Sequence, residues 1–294
     1  MFQPMLSPTT AVVRSVRSLI CAVWICVLLS SCGQRSFHDK FGWKAHDFFT
    51  DPQTIALCQA IEADDLPEID RLVAAGANVN DRGSGNMTPL MWAYPDNKLQ
   101  RFQRLLKHGA DPNVVITTNL KVPSGFQPGD SVTILSAGTW FPGYFQQVLE
   151  HGGDPNIKDK WGDSSLHAIV RAPIADKLQR IQMALKHGAN INAQSTGQKT
   201  PVMLAVTWGG QYDLALSLLE LGADPTVLSL EGKRSLIGIV VGEEGKPRSA
   251  SGQQAKDFQR LRSWLIEHGQ DADKARQEYQ ERMKNKPPPW FKEN

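Results

Sequence analysis

Apolar residues along this chain fall into short helical runs, and the runs come in pairs. In residues 159–192 the first run carries Leu166, Ile169 and Val170, and the second carries Leu178, Ile181 and Leu185 as its inward positions. Steps of three and four residues place such side chains on one side of an α-helix. Asp159 and Gly162 make a turn ahead of the pair, and Ser164 supplies a capping hydroxyl for the first helix. Pro173 breaks the two runs apart. Gly188 ends the second helix by taking the positive φ that a Cβ would oppose. Asn190 and Asn192 then serve the turn with their side-chain amides.

The end of this unit is written again along the chain: LVAAGANVND at 72–81, LLKHGADPNV at 105–114, VLEHGGDPNI at 148–157, ALKHGANINA at 184–193, LLELGADPTV at 218–227, and a degraded LIEHGQDADK at 265–274. The copies close at Asn80, Asn113, Asn156, Asn192, Thr226 and Asp273, at spacings of 33, 43, 36, 34 and 47 residues. A period near 33 with insertions predicts a stacked array, because one helix pair of this size cannot bury its own apolar face. The starts of the units repeat as well: TPLMWA at 88–93, SSLHAI at 164–169 and TPVMLA at 200–205. Together these stretches resemble the ankyrin repeat, a turn followed by T-P-L-H, two helices and G-A-D-x-N. The resemblance spans about residues 53–273 and departs from the pattern at SVTILSA (131–137) and in the loose last unit. It implies an all-α ankyrin-repeat solenoid of stacked helix-turn-helix units with short β-turn fingers, about six repeats long.

Ahead of the array the pattern is different. Residues 1–18 hold Arg14 and Arg17 and no acid, followed by the eleven apolar residues LICAVWICVLL at 19–29. A basic start, a short apolar run and small residues make a secretory signal, and the run is too short to span a bilayer. Leu29-Ser30-Ser31-Cys32 resembles a bacterial lipobox. That resemblance implies a signal peptide at 1–31 and a lipid on Cys32, which becomes the new N-terminus. Gly33 in place of an Asp implies sorting to the outer membrane. A plain signal cut near Ser31, or an uncleaved anchor, is the alternative, and Met5 competes with Met1 as the start. Residues 32–52 read as a tether whose aromatics pack on the first unit, and 274–294 as a polar capping helix with a Pro-rich tail.

The formal net charge of +2 comes from the two arginines of the leader, and the remainder balances 30 bases against 30 acids. That excludes the clustered basic excess of a nucleic-acid binder. Past the leader only Cys32 and Cys58 remain, so no internal disulfide is expected, and Cys58 reads as a small buried residue. His108, His151, His187 and His268 stand before the terminator glycines, about a repeat apart. They are too far apart to share a metal and are suited to helix C-termini. By the resemblance, His167 fills the structural T-P-L-H slot. G-x-S-x-G, H-E-x-x-H and P-loop patterns are absent from the sequence, so no enzyme, metal or cofactor is expected.

What remains is surface. The resemblance implies partner binding by finger tips and inner-helix ends on a concave face. Mapped onto this chain, those places hold Trp161, Thr207, Trp208, Arg171, Thr139, Pro95 and Asp96, with Phe126 near the tip of the insertion at 115–130. Trp161 and Trp208 either bind a partner or pack on the adjacent repeat. Trp92 and Trp140 read as core or half-buried filler. The first insertion is expected to serve binding, the polar one at 242–254 to be a tolerated mobile loop. The expectation is a monomeric, lipid-anchored envelope protein that faces the periplasm and binds a protein partner. In its sharpest form it is an immunity protein against a secreted effector such as a phospholipase; the alternative is a structural scaffold.

Overall fold

The computed structural model describes residues 36–120, 126–229, 234–246 and 252–284. Two compact units divide the chain at Lys44. In the first, α1 (Phe37–Phe41) starts at Ser36, whose hydroxyl accepts from the Asp39 N–H, and stops at left-handed Gly42. The Phe37 ring meets Trp43 edge-on at 5.2 Å.

The second unit opens with α2 (Ala45–Phe48) and continues as helix pairs. The pairs are α3 (Pro52–Glu62) with α4 (Leu66–Ala74), α5 (Pro89–Ala93) with α6 (Leu99–Lys107), α7 (Val132–Gly138) with α8 (Tyr144–Glu150), and α9 (Ser165–Arg171) with α10 (Lys177–Lys186). They continue with α11 (Pro201–Thr207) and α12 (Tyr212–Glu220), then α13 (Leu236–Val241) and α14 (Gly252–Glu267). Helix α15 (Ala272–Lys284) follows and packs along α13. No β-strand occurs among the described residues, only an antiparallel bridge between Ser229 and Arg234.

Local chemistry sets these boundaries. Thr88, Ser131, Thr200 and Ser235 cap the first helix of their units by accepting from the backbone N–H three residues on. Pro89 and Pro201 take the first helical position, where no N–H is needed. The terminator glycines, Gly109 and Gly188 among them, have φ near +83°, and a Cβ there would touch nothing. The backbone angle, not crowding, therefore demands glycine at these helix ends.

The second helix of unit four corrects one expectation. Leu178 is exposed and Leu185 half-buried, while Arg180, Ile181 and Ala184 are buried. The inward stripe is offset because a buried arginine takes the place an apolar residue was expected to fill. The stretch expected as tether also contributes to the body of the second unit. Phe48 and Phe49 meet Trp92 with ring centroids at 5.5 and 6.3 Å, and all three are buried.

Two devices join neighbouring units. The first is a ladder through the terminal asparagines. Asn80 donates from Nδ2 to Gly109 O (2.8 Å) and accepts at Oδ1 from Asp111 N–H (2.7 Å). Asn113 bridges to Gly152 O and Asp154 N, and Asn156 to Gly188 O and Asn190 N. Asn192 accepts from Asp224 N–H at 2.9 Å. The conserved-looking decapeptide is thus a connector between units as well as a turn. The second device closes the open C-termini of the inner helices. Arg101 on α6 donates to Ile61 O of α3 (2.8 Å), and Arg180 on α10 donates to Ser136 O and Ala137 O of α7 (3.0 and 3.1 Å). Gln211 does the same for Val170 O of α9 at 3.1 Å. Such helix-terminal carbonyls lack an i+4 donor; Ile61 O also accepts from Asp64 N–H and Val170 O from Lys177 Nζ, and the next unit adds its donor to these.

Candidate functional site

The fingers and inner-helix ends of units four and five enclose a well-defined cavity at the surface. The finger of unit four is wound tightly by Asp159, whose Oδ1 accepts from the N–H groups of Trp161 (2.8 Å) and Asp163 (2.9 Å). Gly162 sits at φ +71°, and a Cβ on it would lie 2.7 Å from Thr196 N. Thr196 N–H in turn donates to Trp161 O at 2.8 Å, so the two fingers abut along their backbones. This holds the Trp161 indole outward, 52% exposed, with Lys160 Nζ 4.3 Å from the ring centre.

At the end of α9, Arg171 donates from Nε to Asp163 Oδ2 at 2.7 Å, and its guanidinium lies 5.0 Å over the Trp208 ring. Trp208 is 48% exposed. The Asp163 side chain is only 6% exposed, and its Oδ1 has no donor among the described residues. Lys199 Nζ reaches Thr207 Oγ1 at 3.3 Å, while that hydroxyl donates to Met203 O at 3.0 Å. Burial, then the like charges of Arg171 and Arg234, push the Lys199 ammonium below its usual range, with Glu243 opposing. Trp161, Asp163, Ala168, Arg171 and Lys199, with the turn at 195–197, line a cavity of about 550 Å³. That is the scale of a pocket for a side chain or a short peptide segment.

Beneath it lies His167, fully buried. Ser164 N–H donates to His167 Nδ1 (3.1 Å), which fixes Nδ1 as an acceptor, and Nε2 donates to Lys199 O (2.9 Å). The ring is therefore the neutral Nε2–H tautomer, and burial holds its pKa below the usual histidine range. It links the two units that form the cavity.

Trp161, Arg171, Thr207 and Trp208 are thus brought together at one groove, and neither tryptophan is core. The other expected surface residues lie elsewhere. Asp96 is corrected: its Oδ2 pairs with the buried Arg101 at 2.7 Å, and its side chain is largely covered. A buried guanidinium needs that carboxylate, which makes Asp96 a structural partner. Phe126 is corrected too: it is 7% exposed and packs 6.3 Å from Tyr94. The end of the insertion folds back, with Ile116 N–H donating to Asp130 O and Gly129 N–H to Ile116 O. The aromatic cluster of Tyr94, Phe141 and Tyr144 draws the ring inward. Pro95 and Thr139 are half-buried, and Thr139 hydrogen-bonds Tyr94, whose phenol is pushed up by burial.

Trp140, expected as filler, is 80% exposed on the α7–α8 turn. The second insertion is anchored at its start, where Glu244 pairs with Arg262 and Arg276 at 3.1 Å; residues 247–251 lie outside the described residues. So do the leader and Cys32. His108 and His151 close α6 and α8, and His108 Nε2 also meets Asp70 at 2.8 Å. No group of three or more potential metal ligands occurs among the described residues.

Sequence reasoning missed Lys199 and Asp163. Their signal was positional, since each immediately precedes the cap of an inner helix (Thr200, Ser164). The corresponding residues run Asp130, Asp163, Lys199, Arg234 along the array, two acids and then two bases.

Comparison with known families agrees with this architecture. A model described as "Ankyrin repeats (3 copies)" matches residues 141–229, and one described as "Ankyrin repeat" matches residues 85–116. Ankyrin repeats are in general non-enzymatic modules for protein–protein interaction. The chain carries ankyrin repeats at these positions, and its fold is an all-α ankyrin-repeat solenoid of stacked helix-turn-helix units.

Proposed function

We propose that this interaction module is a lipid-anchored envelope protein whose partner docks at the groove between Trp161 and Trp208. The observation that carries the docking site is a half-exposed Trp161 lining the cavity and a half-exposed Trp208 beside Arg171, which is itself a lining residue held by Asp163. Exposed tryptophan and arginine at the edge of a pocket supply the side chains on which interface energy concentrates. Anchoring through Cys32, and an orientation toward the periplasm of the outer membrane, rest on the lipobox-like Leu29–Cys32. The sharpest form of the proposal is an immunity protein that covers the active site of a secreted antibacterial effector. It rests on the likeness of this build to repeat lipoproteins with that role. A scaffold for a resident envelope complex is the competing reading.

Expression of a tagged Cys32→Ser chain in its native host, followed by identification of what copurifies from periplasm and culture medium, separates the two. One stoichiometric secreted hydrolase favours immunity, and several resident envelope proteins favour the scaffold. A Trp161→Ala, Trp208→Ala chain should lose partner binding while keeping its melting temperature. A collapse of stability with affinity unchanged refutes the docking site.

A further inference from the structure

Opposite charges inside the groove are not evenly spent. Asp163 gives Oδ2 to Arg171 while its buried Oδ1 has no donor among the described residues, and Asp159 turns its Oδ1 back onto the finger's own backbone. Glu243, the acid nearest Lys199 in effect, is paired with Lys246 at 2.7 Å. The cations also keep unused donors. Arg171 uses Nε for Asp163 and its face for Trp208, and its two terminal nitrogens have no hydrogen-bond partner among the described residues. Lys199 Nζ has a neutral hydroxyl at 3.3 Å, and Arg234 adds a third positive charge nearby.

We propose, building on the docking reading above, that the groove recognises an acidic segment of the protein partner, seating a carboxylate between Arg171 and Lys199 with apolar neighbours against Trp161 and Trp208. A guanidinium held by an ion pair and a stacked ring presents its free edge in a fixed plane, the geometry that a carboxylate matches. A carboxylate there relieves the repulsion among Arg171, Lys199 and Arg234. It also returns the Lys199 ammonium toward its ordinary titration range, from which burial and those charges displace it. The indoles supply rigid walls for the residues on either side of the acid.

The test uses the whole mature chain with Cys32→Ser and reads the indole N–H signals of Trp161 and Trp208 by ¹H–¹⁵N NMR. The probes are an end-capped peptide of leucine, glutamate, phenylalanine, glutamate and leucine, its glutamine counterpart, and inorganic phosphate. The glutamate peptide should shift both indoles saturably and bind roughly five- to tenfold more tightly than the glutamine peptide, the discrimination expected of one charge-assisted contact in a half-buried site. Added salt should narrow that ratio. Lys199→Gln, which leaves the backbone acceptor of His167 in place, should abolish the preference. The inference is overturned if the glutamine peptide or phosphate shifts the indoles as strongly, or if Lys199→Gln leaves the preference intact. It is overturned as well if neither peptide moves them. In that last case, loss of the natural partner in the Trp161→Ala, Trp208→Ala chain would show that the docking site stands without acid recognition, and retention would remove both.

Discussion

Replacing Arg180 by methionine isolates the contribution of one buried arginine to the joint between units three and four. The side chain is 7% exposed and bridges Ser136 O and Ala137 O from Nη1, with Nε on Asp176. Methionine keeps most of the apolar stem and removes every donor. Two carbonyls at the end of α7 are then left in a packed joint without a partner, each costing about 1–3 kcal/mol. Asp176 is nearly half exposed and returns to water at little cost. Methionine avoids desolvating a guanidinium, which offsets part of the loss. The net expectation is a destabilisation of roughly 2–5 kcal/mol, a large share of the 5–15 typical of a folded domain. Arg180→Lys restores a positive charge at the helix end without the fork and should fall between wild type and methionine. Urea unfolding followed by helical circular dichroism measures all three. If Arg180→Met loses less than about 0.5 kcal/mol, or is milder than Arg180→Lys, the carbonyls are not what the arginine serves.

Two further outcomes follow from the joints. His167 is held neutral when folded, so the unfolded chain binds the extra proton. Its contribution is complete above the ordinary histidine value of 6.5 and is lost as pH falls from there toward the depressed folded value. The stability difference between wild type and His167→Gln should therefore shrink from pH 7.5 to pH 5.5, by no more than about 1.4 kcal/mol per pH unit; a difference that grows on acidification contradicts the tautomer. Asn156→Ala removes both ladder bonds to unit four and should cost about 1–2 kcal/mol, at the low end because the site is wet. Unchanged unfolding would mean that water replaces the ladder fully.

The repeat, its helices and its stops are legible in the sequence because each depends on a local rule: a three-four apolar spacing, a hydroxyl at a cap, a glycine at positive φ. The tryptophans and Arg171 of the groove were found by counting outward from those landmarks. What stayed hidden depends on partners some 30–45 residues away. Nothing local in the sequence marks Arg101 and Arg180, since their carbonyl partners Ile61 and Ser136 lie in the preceding unit. Asp96 was misread because nothing local marks Arg101, its partner five residues on, as buried, and Leu178 because hydrophobicity alone does not say which of two adjacent stripes faces in. Phe126 went inward because an aromatic cluster formed elsewhere in the chain offered it more contact than the tip of a finger.

The way Arg101 and Arg180 reach backward gives the array a direction. The ends of α3 and α7 are met by the unit that follows, whereas α5 is met by Arg101 of its own unit at Ala93 O. Shortening the chain from its start strands a cation, which water solvates readily once its cover is gone. Shortening it from its end uncovers helix-terminal carbonyls, which are then left to water. The two ends are therefore not equivalent. A chain growing from its N-terminus leaves the ends of α3 and α7 without these arginine donors until α6 and α10 have been made.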